Sequence, residues 1–217
     1  MTSLVTIEAT ARRLHLALFG AFHLGPDDGL GSNFQTLLMF GPAEPGYWAH
    51  VTGSAEWQDG GPDPIDRWSA RVLGALAAEL DGQCFFPSDG PPYYPVYQWA
   101  LRTGRAWVSP VTLLVHDAAG LFVSYRGAIA VKERLALPAP PPKPCDSCPD
   151  RPCLAACPAG ALTDQGYDLA ACHAWLDRLE GADCLSCGCR ARRACPRSQA
   201  YGRLPEQSAY HMRLFHK

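Results

Sequence analysis

Long apolar runs are missing from this chain. No stretch approaches the roughly 20 consecutive apolar residues of a membrane-spanning helix, so no membrane span is expected. Charge is scarce as well. Asp, Glu, Lys and Arg make up 18% of the residues and the formal net charge is −2. A chain without a basic excess gives no electrostatic signal for nucleic acid. Residues 1–14 lack a cationic start followed by an apolar run, so no secretory signal is read there. Repeats at a period of about 20–50 residues are absent, apart from the paired cysteine runs. Gly29-Leu30-Gly31-Ser32 lacks the strand–loop–helix context of a phosphate loop and reads as a plain turn. None of the seven histidines stands at ligand spacing, and His116 reads as a hydrogen-bonded turn residue. Cysteine itself is nearly absent from the first 144 residues, where Cys84 stands alone as a small buried hydrophobe.

What the chain does have is cysteine in one place. Nine of its ten cysteines lie between Cys145 and Cys195. The first run is Cys145-x2-Cys148-x4-Cys153-x3-Cys157-Pro158. The second is Cys184-x2-Cys187-x1-Cys189-x5-Cys195-Pro196, and Cys172 stands between them. A four-iron cluster takes one thiolate per iron. Three close cysteines wrap one cluster, and the fourth, ahead of a proline that turns the chain, points to a second cluster. Two runs ending in Cys-Pro therefore predict two [4Fe–4S] clusters, although Arg151-Pro152 lengthen the first loop and the second run is irregular. A disulfide framework suits a secreted chain better than this one. Structural zinc is the closer rival, because Cys-x2-Cys pairs suit a tetrahedral four-thiolate site, but zinc has no need of two Cys-Pro endings. With crossed ligands, the first cluster takes Cys145, Cys148, Cys153 and Cys195. The second takes Cys157 with three of Cys172, Cys184, Cys187 and Cys189. Arg190, Arg192, Arg193 and Arg197 surround the last ligands. They read as charge neutralisation for the clusters, as a docking patch, or as a solvated face.

The segment 137–144, LPAPPPKP, has five prolines in eight residues and marks a boundary, since it is stiff and extended. The halves differ in charge, net −4 over residues 1–140 and net +2 over 141–217. Ahead of the boundary the pattern predicts helices over 7–18 and 95–102 and a buried strand over 36–40. It predicts the strongest helix after Asp63-Pro64, with Asp63 as its cap and Trp68, Val72, Ala75, Leu76 and Leu80 at helical spacing. Residues 111–115 and 121–125 read as a hairpin turning through Asp117-Ala118-Ala119-Gly120. Beyond the boundary only short helices are expected, chiefly over 168–179, carrying Cys172.

Residues 95–157 resemble the bacterial epoxyqueuosine reductases, cobalamin-dependent iron–sulfur enzymes of transfer-RNA modification. The resemblance rests on Pro95-Val96 opening a helix, Trp107, Thr112-Leu113-Leu114-Val115, the turn at Gly120, Gly127-Ala128-Ile129 and the proline-rich approach to Cys145-x2-Cys148. The chain is also similar, over most of its length, to small proteins described as 4Fe–4S ferredoxins. In the reductases an amino-terminal domain cups the corrinoid and two clusters feed it electrons. The resemblance thus implies a mixed sheet with flanking helices. It also implies Cys172, 15 residues after Cys157, as a ligand. The preferred second set is Cys157, Cys172, Cys184 and Cys189, with Cys187 spare; a more literal match to the reductase spacing pairs Cys184 with Cys187. Two features depart from the family. Its carboxylate proton donor lies three residues before the Pro-Val, where this chain has Pro92, with Asp89 nearby. Its helical-repeat extension has no counterpart before Lys217. The reductase activity itself is therefore not expected.

The expected protein is α+β: a mixed-sheet α/β domain over residues 1–140 and a ferredoxin-type iron–sulfur domain over 141–217. Its expected function is cytoplasmic electron transfer to or from a redox partner protein or a small-molecule substrate. Two alternatives stay open. One is a corrinoid- or flavin-dependent reductase without the family's proton donor, its cobalamin or flavin site near Tyr93, Tyr94 and Trp107. The other is a metal-stabilised interaction module. No catalytic residue is assigned.

Overall fold

The computed structural model describes residues 3–31 and 33–217; Ser32, the end of the glycine turn considered above, lies outside them. The fold is α+β. In chain order the elements are α1 (Leu4–Arg13), β1 (Leu16–His23), β2 (Thr36–Pro42), α2 (Tyr47–Thr52), α3 (Ala55–Gln58), α4 (Pro64–Glu79), β3 (Gln83–Phe85), α5 (Val96–Arg102), β4 (Ala106–Val108), β5 (Leu114–His116) and β6 (Gly127–Val131). There follow β7 (Leu162–Thr163), β8 (Gly166–Tyr167), α6 (Leu169–Leu176), α7 (Ala182–Cys187), α8 (Arg190–Ala194), α9 (Pro196–Ala200) and α10 (Pro205–Phe215). The chain divides into two compact units. One is Met1–Arg105 with Ser124–Pro140, and the other is Ala106–Val123 with Pro141–Lys217.

The first unit is built on a four-stranded sheet of order β1-β2-β6-β3. Every neighbouring pair is antiparallel, which corrects the expected mixed sheet. The cause is β6. Strands β2 and β3 run in the same direction on either side of a helical crossover, as a parallel pair would, but β6 inserts antiparallel between them. All residues of β2 and β6 are buried, so both faces of the sheet centre are covered. Helix α4 packs on β3 and β6, while α1 and α5 pack on β1. Trp68, Val72, Leu73 and Leu76 of α4 are buried, each stabilising by roughly 1.5–3 kcal/mol. Ala75 is exposed and Leu80 half-buried. Pro64 takes the first helical turn, as expected, but Asp63 adopts a left-handed backbone (φ 46°) and makes no side-chain cap.

The expected helix over 7–18 stops early. Ser3 caps α1, its hydroxyl accepting the Thr6 N–H (3.2 Å), and the chain leaves the helix through His15, whose φ is 57°. Leu16 and Leu18 then pair with Pro42 and Phe40 in the sheet. Their spacing suits a helix or a strand; pairing with β2 decides it.

In the second unit the hairpin is shifted. Strand β5 pairs upstream with β4, Trp107 facing Val115, and residues 121–125 form no strand. Thr112 interrupts the apolar run with a φ of 60°. The Leu121 N–H is taken by the Ser198 hydroxyl (2.9 Å) and its carbonyl by Arg192 Nη1 (3.1 Å). Neither Leu121 group is left for a ladder. The turn at 117–120 does form, closed by reciprocal His116–Gly120 backbone bonds of 3.0 Å. Within it the buried His116 Nδ1 accepts the Ala118 and Ala119 N–H groups at 3.1 and 3.3 Å.

Candidate metal centre

The first cysteine set surrounds a cavity of about 390 Å³ within the second unit. Cys145, Cys148, Cys153 and Cys195 all line it, among Val115, Leu121 and several prolines. A water's share of liquid is about 30 Å³, so the space suits a group much larger than one ion. The turn at Cys145 brings the Cys148 N–H to the Cys145 carbonyl (3.4 Å). The longer loop after it bends at Arg151, whose φ is 39°, and the Leu154 N–H closes on the Arg151 carbonyl (3.0 Å). That bend returns Cys153 to the cavity despite the two extra residues. Burial pushes the Cys145 and Cys153 thiols up; Lys143 acts against it at Cys145, and the charges of neighbouring cysteines in the set act with it. Ser109, also lining the cavity, is 5% exposed. Its hydroxyl is buried without a hydrogen-bond partner.

Cys195 reaches this set because the 117–121 turn clamps its segment. Besides the Leu121 bonds, Gly120 lies so close to Ser198 that a Cβ there would overlap the Ser198 backbone nitrogen and stand 2.6 Å from its hydroxyl. Gly120 also has a φ of 57°, a conformation that a β-branched residue adopts only under strain. Gly120→Val is expected to cost roughly 2–5 kcal/mol and to lower bound metal per chain, measured by denaturant unfolding and metal analysis. Wild-type stability in that variant would show that the clamp is dispensable.

The second expected set is Cys157, Cys172, Cys184 and Cys189. Asp168 caps α6, its carboxylate accepting the Ala171 N–H (2.9 Å), which places Cys172 in the first turns of that helix. The Cys172 thiol is pushed up by burial, and further by the charges of Cys189, Cys157 and Cys184. Burial likewise raises the Cys184 thiol, with the Arg190 backbone N–H acting against it and Cys189 with it. Cys187, at the end of α7, has its sulfur 3.6 Å from the Ser186 hydroxyl. Trp175 Nε1 and both amide atoms of Gln207, on α6 and α10, are buried without partners. All ten cysteines are free thiols. As they stand, no group of three or more His, Cys, Asp or Glu side chains among the described residues is gathered to hold a metal ion. A four-iron cluster asks for something else, four thiolates around a space, each reaching its own iron.

The arginines are largely committed to their own unit. Arg190 and Arg193 both pair with Asp183, the former at 2.6 Å, which holds the Asp183 carboxyl below its usual range. Arg193 Nε also binds the Gly188 carbonyl (3.0 Å), fixing the turn between Cys187 and Cys189. Arg197 lines the first cavity.

The expected corrinoid or flavin residues fall in different units. Tyr93 and Tyr94 belong to the first unit and Trp107 to the second. Tyr93 is exposed, Tyr94 stacks on Trp99 with centroids 5.5 Å apart, and Trp107 packs against the second unit's apolar core. Near them, the Asp89 carboxylate accepts the Phe86 N–H (2.9 Å). Cys84, on β3, is pushed up to about 11, chiefly by burial, as suits an inert thiol. Among the described residues no helix is long and apolar enough to cross a membrane. Compared with family models, with curated proteins and with solved structures, the chain matches none. Sequence reasoning missed Ser109 and Tyr167, the latter lying just before the Asp168 cap, where its place five residues ahead of Cys172 was the available signal.

Proposed function

We propose that this chain is a cytoplasmic electron-transfer protein that carries two [4Fe–4S] clusters and exchanges electrons with a redox partner protein or a small-molecule substrate. One observation carries the reading: cysteines of both runs line one cavity. Cys145, Cys148 and Cys153 of the first run meet Cys195 of the second across it, which on this reading leaves Cys157 to a second set with Cys172, Cys184 and Cys189. That exchange of ligands is the arrangement by which one short chain holds two clusters. When bound, the clusters would supply single-electron transfer. The chain's own part is to hold eight thiolates in place, to exclude water with Val115, Leu121 and the surrounding prolines, and to place a cation, Arg197, beside the first set. On this reading the chain resembles the epoxyqueuosine reductases in its cysteine pattern but does not share their activity, because Pro92 offers no proton.

Anaerobically purified protein is expected to contain about eight irons and eight acid-labile sulfides per chain and to be brown, bleaching with dithionite. A colourless anaerobic preparation containing zinc would sink the proposal and leave a metal-stabilised interaction module. Stoichiometric cobalamin or flavin in the same preparation would favour the reductase alternative.

A further inference from the structure

Resting on the two-cluster reading, we propose that two hydroxyls outside the cysteine sets, those of Tyr167 and Ser109, are positioning residues that donate hydrogen bonds to cluster sulfur and set the two potentials separately.

Tyr167 is held from several sides. It ends β8, where its neighbour across the ladder is Leu162. Its ring lies nearly parallel to that of Phe215, with centroids 6.4 Å apart. The ring also packs against the core that contains Cys153 and Cys195 and that Cys157 and Cys189 border. The phenol is half-buried, and the Cys172 thiol is among the groups that act on it. A core aromatic needs no hydroxyl. This one carries its hydroxyl on a ring packed against the core that Cys157 and Cys189 border. Ser109 is carried by a different observation. It lines the cavity of the first set, and a 95% buried serine whose hydroxyl lacks a partner is costly unless something in that cavity accepts its proton. The sulfur of a bound cluster is such an acceptor.

The sign follows from charge. In a titration each cluster takes one electron from the reductant and no bond is made or broken. A donor to sulfur stabilises the added negative charge, so it raises the potential, and removing it lowers the potential. Each cluster has its own hydroxyl, so each variant moves one cluster.

The test is a potentiometric titration of the anaerobic, full-length, loaded protein, followed by electron paramagnetic resonance. The two signals are assigned by which of them Cys145→Ser or Cys172→Ser perturbs. Tyr167→Phe keeps the ring and loses the donor. It is expected to shift the reduction equilibrium of the Cys172 cluster about tenfold toward the oxidised form, about 59 mV for a one-electron couple, leaving the other cluster in place and the iron content unchanged. Ser109→Ala is expected to do the same to the Cys145 cluster alone, and Ser109→Thr, which keeps a hydroxyl, to restore it. If Tyr167→Phe loses iron, 3-fluorotyrosine at position 167 strengthens the donor without removing contacts and should move the Cys172 cluster the opposite way. Unchanged potentials at full iron content, or a shift in the wrong cluster, overturn this inference alone. A wild-type protein without iron and sulfide overturns the two-cluster reading, and this inference with it.

Discussion

Cys195→Ala should empty the cluster held mainly by the other cysteine run. Cys195 lies 38 residues beyond Cys157 in sequence, yet it lines the same cavity as Cys145, Cys148 and Cys153. It is buried and clamped there through Leu121 and Ser198. Alanine cannot ligate iron, and no other cysteine lines that cavity. Iron should fall from about eight to about four per chain. The surviving signal should be the one that Cys172→Ser abolishes. Cys157→Ala should do the converse, removing the Cys172, Cys184 and Cys189 cluster and sparing the first. Iron and sulfide counts with electron paramagnetic resonance on both variants decide the matter. If each alanine removed only the cluster formed by its own run, the crossed arrangement would be wrong. Loss of both clusters from both variants would make the second unit a single cooperative cage. Cys187→Ala serves as the contrasting case. With Cys187 outside the preferred set, that variant should keep its full iron.

What could be read from the sequence was local. The close spacing of Cys145, Cys148 and Cys153 already implied a local loop, and the three do line one cavity. Helix α4 was legible because Pro64 and the buried Trp68, Val72 and Leu76 lie within one element. Apart from the missing Asp63 cap, the failures involve partners distant in sequence. Leu16 and Leu18 became strand because of Phe40 and Pro42. The 121–125 segment lost its ladder to Ser198 and Arg192. The proline segment near residue 140 was visible, but the membership of Ala106–Val123 in the second unit was not, because it rests on the contact of Gly120 with Ser198. Ser109 and Tyr167 have ordinary local surroundings in sequence. Only their three-dimensional placement beside cysteines gives them a role.

Stripping the metal should unfold the second unit and spare the first. The two cores differ in kind. The first is a sheet whose central strands β2 and β6 are wholly buried, backed by a 16-residue helix. Its one cysteine, Cys84, lies on the sheet's edge strand β3. The second is a small cluster of Val111, Val115, Leu121, Cys153, Leu162, Ala191 and Cys195, with Cys145, Cys157 and Cys189 packed against it. Its helices run from 5 to 11 residues, shorter than the roughly 12–15 residues at which isolated helices become even marginally stable. So many core positions are proposed ligands that, on the two-cluster reading, removing the metal leaves buried thiols in place of a bonded centre, and metal binding becomes folding energy. After oxidative bleaching and chelation under reducing conditions, hydrogen exchange should lose at least about 100-fold of its protection in peptides from 106–123 and 141–217. Peptides from β2, α4 and β6 should stay within a fewfold of the loaded protein. Protection retained throughout would show that the second unit folds without metal and that its cysteines are not its framework. Protection lost throughout would show that the first core depends on the second, contrary to the separate sheet core described for it.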